Sequence, residues 1–184
     1  MDMSVSEAQA DMRQGYYSGA TGILASALAW SVAAGVAAFG SDQQAVWALL
    51  IGGMLIFPVG LLICKLMGAR GSHTKGNPLG QLAGASTFWL IFSLPLAYAL
   101  GLQVSGWFFS AMLLIIGGRY LVFATLYGMH LYWALGLSLA AAGFALGSSA
   151  APALVAAASG AALELIYAII FFIQHRRWVR PNPS

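Results

Sequence analysis

Two ionisable residues lie inside long apolar runs of this chain, and they are the ones best placed to do chemistry. Arg119 sits within Trp107 to Trp133, WFFSAMLLIIGGRYLVFATLYGMHLYW, and Glu164 lies in the last apolar run. A guanidinium is a permanent cation whose N–H fork suits a carboxylate or a phosphate. A carboxyl can exchange a proton or hold a cation. Counted from Gly106 and Pro152, which open their runs, Arg119 is thirteen residues in and Glu164 twelve. At a rise of about 1.5 Å per residue, both lie roughly 18 to 20 Å deep. An isolated arginine near a membrane-helix centre costs about 2.5 to 3.5 kcal/mol on insertion scales. Two unlike charges at one depth are therefore expected to pair. The pair has two readings: a polar site on an ion or substrate pathway, or a buried contact that sets helix register. A third reading lets Arg119 snorkel to the nearer surface.

The neighbours by helical spacing complete the candidate pathway. Ile115, Ile116, Phe123, Leu126 and, three turns on, His130 share the Arg119 face, and Tyr120 follows it directly. Ala157, Gly160, Ala161, Tyr167 and Phe171 surround Glu164, so Tyr167 is the expected donor to its carboxyl. The pathway set is thus Arg119, Glu164, Tyr167, Tyr120 and His130. No metal is expected, because His73, His130 and His175 lack ligand spacing and Cys64 is the single cysteine. Phosphate-loop, dinucleotide, serine-nucleophile and paired-carboxylate motifs are missing too, so neither an enzyme nor a cofactor is expected.

The elements that must position these residues follow from composition. The chain has 184 residues, 60% hydrophobic and 7% charged, against about 25% charged in a soluble domain. The expected fold is all-α, one transmembrane domain with a bundle of six spans over 16–39, 45–67, 78–100, 106–127, 130–146 and 152–173. Residues 1–14 form an amphipathic lead-in, with Ser4 and Glu7 as a capping box and Val5, Ala8 and Met12 on one face. Asp2, Glu7 and Asp11 outnumber Arg13 before the first apolar run, so a cleaved leader is not expected. Ser41 or Asp42 should cap span two, and Asn77 with Pro78 should open span three. Pro58 and Pro95 should kink their helices.

Lysine and arginine set the orientation. Arg13, Lys65, Arg70, Lys75, Arg176, Arg177 and Arg180 fall on one side of the six-span arrangement, and the opposite loops hold neither residue. Both termini, including a basic tail over 174–184, are expected in the cytoplasm. The basic residues flank apolar runs, so no nucleic-acid partner is expected. The partners are the lipid bilayer and a small-molecule or ion substrate. Aromatic clusters at Trp107-Phe108-Phe109 and Tyr132-Trp133 read as interfacial belts. Small-residue strips at Gly15, Gly19, Gly22, Ser26 and at Gly136, Ala140, Gly143, Gly147 allow a homodimer. Six spans also divide into two halves of opposite orientation, the arithmetic of an inverted repeat, without a sustained internal match.

Four segments, Arg13 to Gly22, Asn77-Pro78-Leu79 with Leu82, Gly117 to Met129 and the Glu164 region, resemble an uncharacterised family of small bacterial membrane proteins. The resemblance implies a multi-pass inner-membrane fold and no assigned activity. In that family the Arg119 position is commonly histidine and Val122 commonly proline. A permanent cation at Arg119 argues against a proton relay through that residue.

Overall fold

The structure, a computed structural model, describes residues 3–179. Seven α-helices follow one another: α1 (Val5–Gly15), α2 (Ala20–Phe39), α3 (Asp42–Leu66), α4 (Leu79–Gln103), α5 (Ser105–Tyr127), α6 (Leu131–Ser148) and α7 (Ala153–Val179). The last six are long and apolar enough to cross a membrane, and no strand occurs among the described residues. The chain is built as a multi-pass membrane protein. Large apolar side chains on its outside, among them Met54, Phe57, Phe88 and Phe92, are 63 to 77% exposed. Such a surface suits lipid and not water.

Local chemistry sets three of the helix starts. Ser4 and Glu7 make the reciprocal capping box at α1, and Ser41 with Gln44 makes a second at α3. Asn77 Oδ1 accepts from the Leu79 amide at 3.0 Å, so α4 begins one residue after Pro78. Helices α3 and α4 both continue past their internal prolines.

Three expectations change. On α1 the covered face is Ala8, Met12 and Gly15, while Val5 is 64% exposed. Between α1 and α2 the backbone of Tyr17, Ser18 and Gly19 turns left-handed, with φ of 54°, 55° and 79°. Left-handed backbone at a residue with a Cβ costs about 1 to 2 kcal/mol. Tertiary contacts hold it here: the Tyr132 hydroxyl donates to the Ser18 carbonyl at 2.8 Å, and Ser18 Oγ meets His175 Nδ1 at 2.7 Å. Those contacts also explain the third change. Helix α7 runs to Val179 instead of ending near Ile173, with His175 buried against Ser18 and Trp178 under the Arg13 guanidinium. Residues 174–179 of the expected tail are thus packed helix, and the rest of it, 180–184 with Arg180, lies outside the described residues.

Helix α2 packs mainly on α3 and α7, and α5 mainly on α4 and α6. The two halves therefore repeat one pairing pattern. Small residues set the close contacts. A Cβ on Gly160 of α7 would lie 2.7 Å from the Trp30 ring of α2. One on Gly60 of α3 would lie 3.3 Å from Gly22 Cα, and one on Gly117 of α5 2.7 Å from the Gly136 carbonyl of α6. The glycine strips offered as dimer surfaces are thus occupied inside the chain. Phe108, Phe109 and Tyr132 are fully buried as well, so they belong to the core and not to an interfacial belt.

Polar contacts gather at the ends. Asp11 accepts from Arg70 Nη2 at 2.6 Å, the Thr74 amide and hydroxyl at 2.8 and 2.7 Å, and Asn77 Nδ2 at 2.9 Å. Arg13 donates to the Tyr127 and Gly128 carbonyls at the end of α5. The N-terminus, the 68–77 connection, the α5–α6 turn and the end of α7 therefore meet at one end. At the other, Ser105 donates to Asp42.

Burial pushes the Asp11 carboxyl up, but the donors from Asn77, Thr74 and Arg70 outweigh it and hold the group well below the ordinary carboxylate range. A depressed folded-state value means stability that is present above the unfolded value, about 3.9, and lost as pH falls below it. Replacing Asp11 by Ala should cost about 2 kcal/mol at neutral pH. In detergent-phase thermal unfolding, the difference from wild type should hold between about pH 5 and 8 and shrink below about pH 4. Gly160→Ala should cost about 1 to 3 kcal/mol by overpacking against Trp30. Gly53→Ala, where a new Cβ meets nothing within 4 Å, should be neutral or stabilising in the same unfolding measurement.

Candidate functional site

The antiparallel contact of α2 and α7 builds the site. From Trp30 on Gly160, one turn back along α2 reaches Ser26 and one turn on along α7 reaches Glu164. Both are buried, Glu164 completely. Helix α5 closes the third side, and its Tyr120 hydroxyl donates to Glu164 Oε1 at 3.0 Å. By the same register the buried Ser26 stands at the level of Glu164 on the face of α2 that meets α7. Glu164 Oε2 has no partner, and neither does the buried Trp30 Nε1. Glu164 is eleven residues into α7 from Ala153, about 16 Å from that end and near the middle of the span.

Aromatic side chains enclose the centre. Towards the basic end, Tyr132 packs on Tyr120, Tyr127 and Phe171 with ring centroids 6.0, 5.4 and 4.4 Å apart. Towards the other end, Trp30 meets Phe109 at 6.3 Å and Phe109 meets Phe108 edge-on at 5.1 Å. Two surface concavities lie elsewhere. One of about 440 Å³ is lined by His73, Asn77, Pro78 and Gln81, and an apolar one of about 430 Å³ by Trp47, Leu50, Ile91, Leu94, Pro95 and Tyr98.

The structure does not bring the expected pair together. Arg119 Nη2 donates to Thr87 Oγ1 of α4 at 2.9 Å, its Cζ lies 5.1 Å from the Phe123 ring centroid, and its Nε is buried without a partner. The ion pair found among the described residues is Arg70 with Asp11, not Arg119 with Glu164. The reason is azimuth. Successive helix residues point about 100° apart, so α5 turns Tyr120 towards α7 and Arg119 towards α4. Equal depth placed both charges in one layer of the bundle but on different sides of α5. Tyr167 is not the donor to Glu164 either: its hydroxyl lies 3.2 Å from Ser138 Oγ on α6. His130 is exposed at the start of α6 and has no side-chain hydrogen bond.

A carboxyl held this way has two chemical options. Ionised, it would be an uncompensated charge in a dry interior, at a cost of several kcal/mol, unless a cation met its free oxygen. Neutral, it keeps the bond from Tyr120 and carries a proton on the free oxygen. No group of three or more potential metal ligands occurs among the described residues.

Ser26 and Thr87 are the site residues that sequence reasoning passed over. Ser26 was legible only as a small residue in a strip. Thr87 had a usable signal: it is eight residues after Leu79, and Arg119 is eight before Tyr127, so the two share a depth when counted from the basic end. Among curated proteins and solved structures, nothing matches this chain. Residues 5–174 match a family of unknown function, DUF7010, and the chain belongs to that family.

Proposed function

We propose that this membrane protein is a small permease-like device in which Glu164 takes up and releases a proton, with Tyr120 holding the carboxyl in place. One observation carries the reading. A fully buried carboxyl with an unpartnered oxygen sits near the middle of a membrane-crossing helix. Ionisable groups in such places are rare and costly, and their usual justification is an ion or proton task. On this reading the lysine and arginine bias turns the basic end towards the cytoplasm, and the membrane is a bacterial inner membrane.

A second reading has its own support. Aromatic side chains cover Glu164 on both sides, and neither surface concavity is lined by it. On that reading the protein is a structural or accessory membrane component, and the Tyr120–Glu164 bond only pins α7 to α5.

Two measurements separate the readings. Infrared spectroscopy of the protein in lipid at pH 7 should show a neutral carboxyl band that Glu164→Gln removes. Proteoliposomes holding a pH-sensitive dye should acidify under an inside-negative potential, and Glu164→Gln should slow that at least tenfold. If wild type and Glu164→Gln give the same spectrum and the same flux, while both stay folded, Glu164 has no proton task. Tyr120→Phe leaves Oε1 unsatisfied and should cost about 1 to 3 kcal/mol of stability on either reading. Only the permease reading has it alter the flux as well.

A further inference from the structure

We propose that Arg119 and Thr87, at the contact of α4 and α5, form a binding site for a phosphate group. This site lies on the other side of α5 from Glu164, and it stands or falls independently of any proton task there.

A guanidinium has five N–H donors and no acceptor. Arg119 commits one, from Nη2 to Thr87 Oγ1 at 2.9 Å, and its buried Nε has no partner. The Thr87 hydroxyl donates to the Ala83 carbonyl at 3.1 Å, which leaves its lone pair to the guanidinium. Phe123, one turn further along α5, supports the cation with its ring 5.1 Å from Cζ. The side chain is thus held in place with most of its hydrogen-bonding capacity unspent.

Charge comes next. Asp11, with Arg70, makes the ion pair found among the described residues, and no carboxylate reaches Arg119. Arginine stays protonated in any protein setting, so the charge cannot be relieved by losing a proton. Nor does it reach the surface. Thr87 and Arg119 each lie eight residues from the basic-end termini of their helices, about 12 Å inside. Bonding to Thr87 keeps the guanidinium at that depth. A permanent cation in a low-dielectric layer calls for an anion, and its planar fork matches phosphate oxygens in a bidentate way.

Access and space agree with this. Thr87 is exposed and Arg119 partly exposed, so the site opens on the outer face of the bundle and not into its core. Gly84, one turn before Thr87, and Gly118, beside Arg119, have no neighbour within 4 Å of where a Cβ would stand. The phosphate can therefore belong to an anionic phospholipid lying against the outer face of the α4–α5 contact or to a soluble phosphate compound.

Thermal unfolding in neutral detergent distinguishes the sources. Wild type, Arg119→Gln, Arg119→Lys and Thr87→Val are titrated with phosphatidylglycerol in mixed micelles, with diacylglycerol as the phosphate-free reference, and separately with inorganic phosphate. A concentration-dependent rise in the wild-type melting temperature with phosphatidylglycerol alone supports the site with a lipid headgroup as its occupant. A rise with inorganic phosphate supports it with a soluble one. Either rise should vanish in Arg119→Gln and weaken in Thr87→Val. If Arg119→Gln does not fold, Arg119→Lys decides: apparent affinity at least tenfold weaker supports the fork, and unchanged affinity overturns it. A wild type that responds to neither anion, or no more than Arg119→Gln does, also overturns the proposal.

Discussion

The contact on which the rest of this structure depends is Trp30 lying against the bare backbone of Gly160. Trp30 is fully buried, and a single added carbon at Gly160 would stand 2.7 Å from its ring. That contact fixes both the separation of α2 and α7 and their register. One turn towards the basic end, the register delivers Ser26 to Glu164. Further on it delivers Ser18 to His175, 2.7 Å apart, and so holds a left-handed turn that neither tyrosine nor serine favours alone. Helix α7 extends to Val179 because the same register supplies partners for its last turns.

The bilayer supplies the second constraint. Backbone polar groups there must be satisfied within the protein, and side-chain polarity is tolerated where partners exist. The chain concentrates its polar contacts at the two ends. Asp11 collects four donors, and Arg13 covers the last carbonyls of α5, where a helix end carries partial negative charge. In the middle two ionisable groups keep unspent capacity, Glu164 with a free oxygen and Arg119 with a free Nε. In a chain that satisfies its ends so fully, these two are the places where a ligand or a proton has something to gain.

What the sequence made legible was what local chemistry decides. The number of spans, the capping box at Ser4, a cap from Ser41 or Asp42 and the Asn77 start depend on residues a few positions apart, and the structure has six such helices with Ser4, Ser41 and Asn77 at helix starts. The end of α7 was not legible, since apolar content stops near Ile173 while the partners of His175 and Trp178 lie some 160 residues away in the chain. The Arg119–Glu164 pairing failed for a related reason. Depth along a helix can be counted from sequence, but azimuth matters only once the neighbours are known. The identity of the helix facing each side of α5 is a tertiary fact. Tyr167 was misassigned in the same way, because three positions along α7 turn it from α2 and α5 towards α6.

That azimuthal split carries a mechanical consequence. Arg119 and Tyr120 are consecutive residues of one helix, yet one holds Thr87 of α4 and the other Glu164 of α7. A rotation of α5 that lengthens the Tyr120 bond changes the Arg119 bond as well, unless α4 turns with it. Helix α4 packs on α5 and has little contact with α3, its predecessor in the chain, so the α4–α5 pair, with α6 packed on α5, forms a body distinct from the α2–α7 pair. Transporters built from two internal repeats commonly rock one against the other around a fixed site, which is the movement the permease reading proposed above would need. Here the surface between the two pairs is the one on which Glu164 meets Tyr120. A movement of that kind would break the single hydrogen bond of the buried carboxyl while leaving the Arg119–Thr87 contact intact.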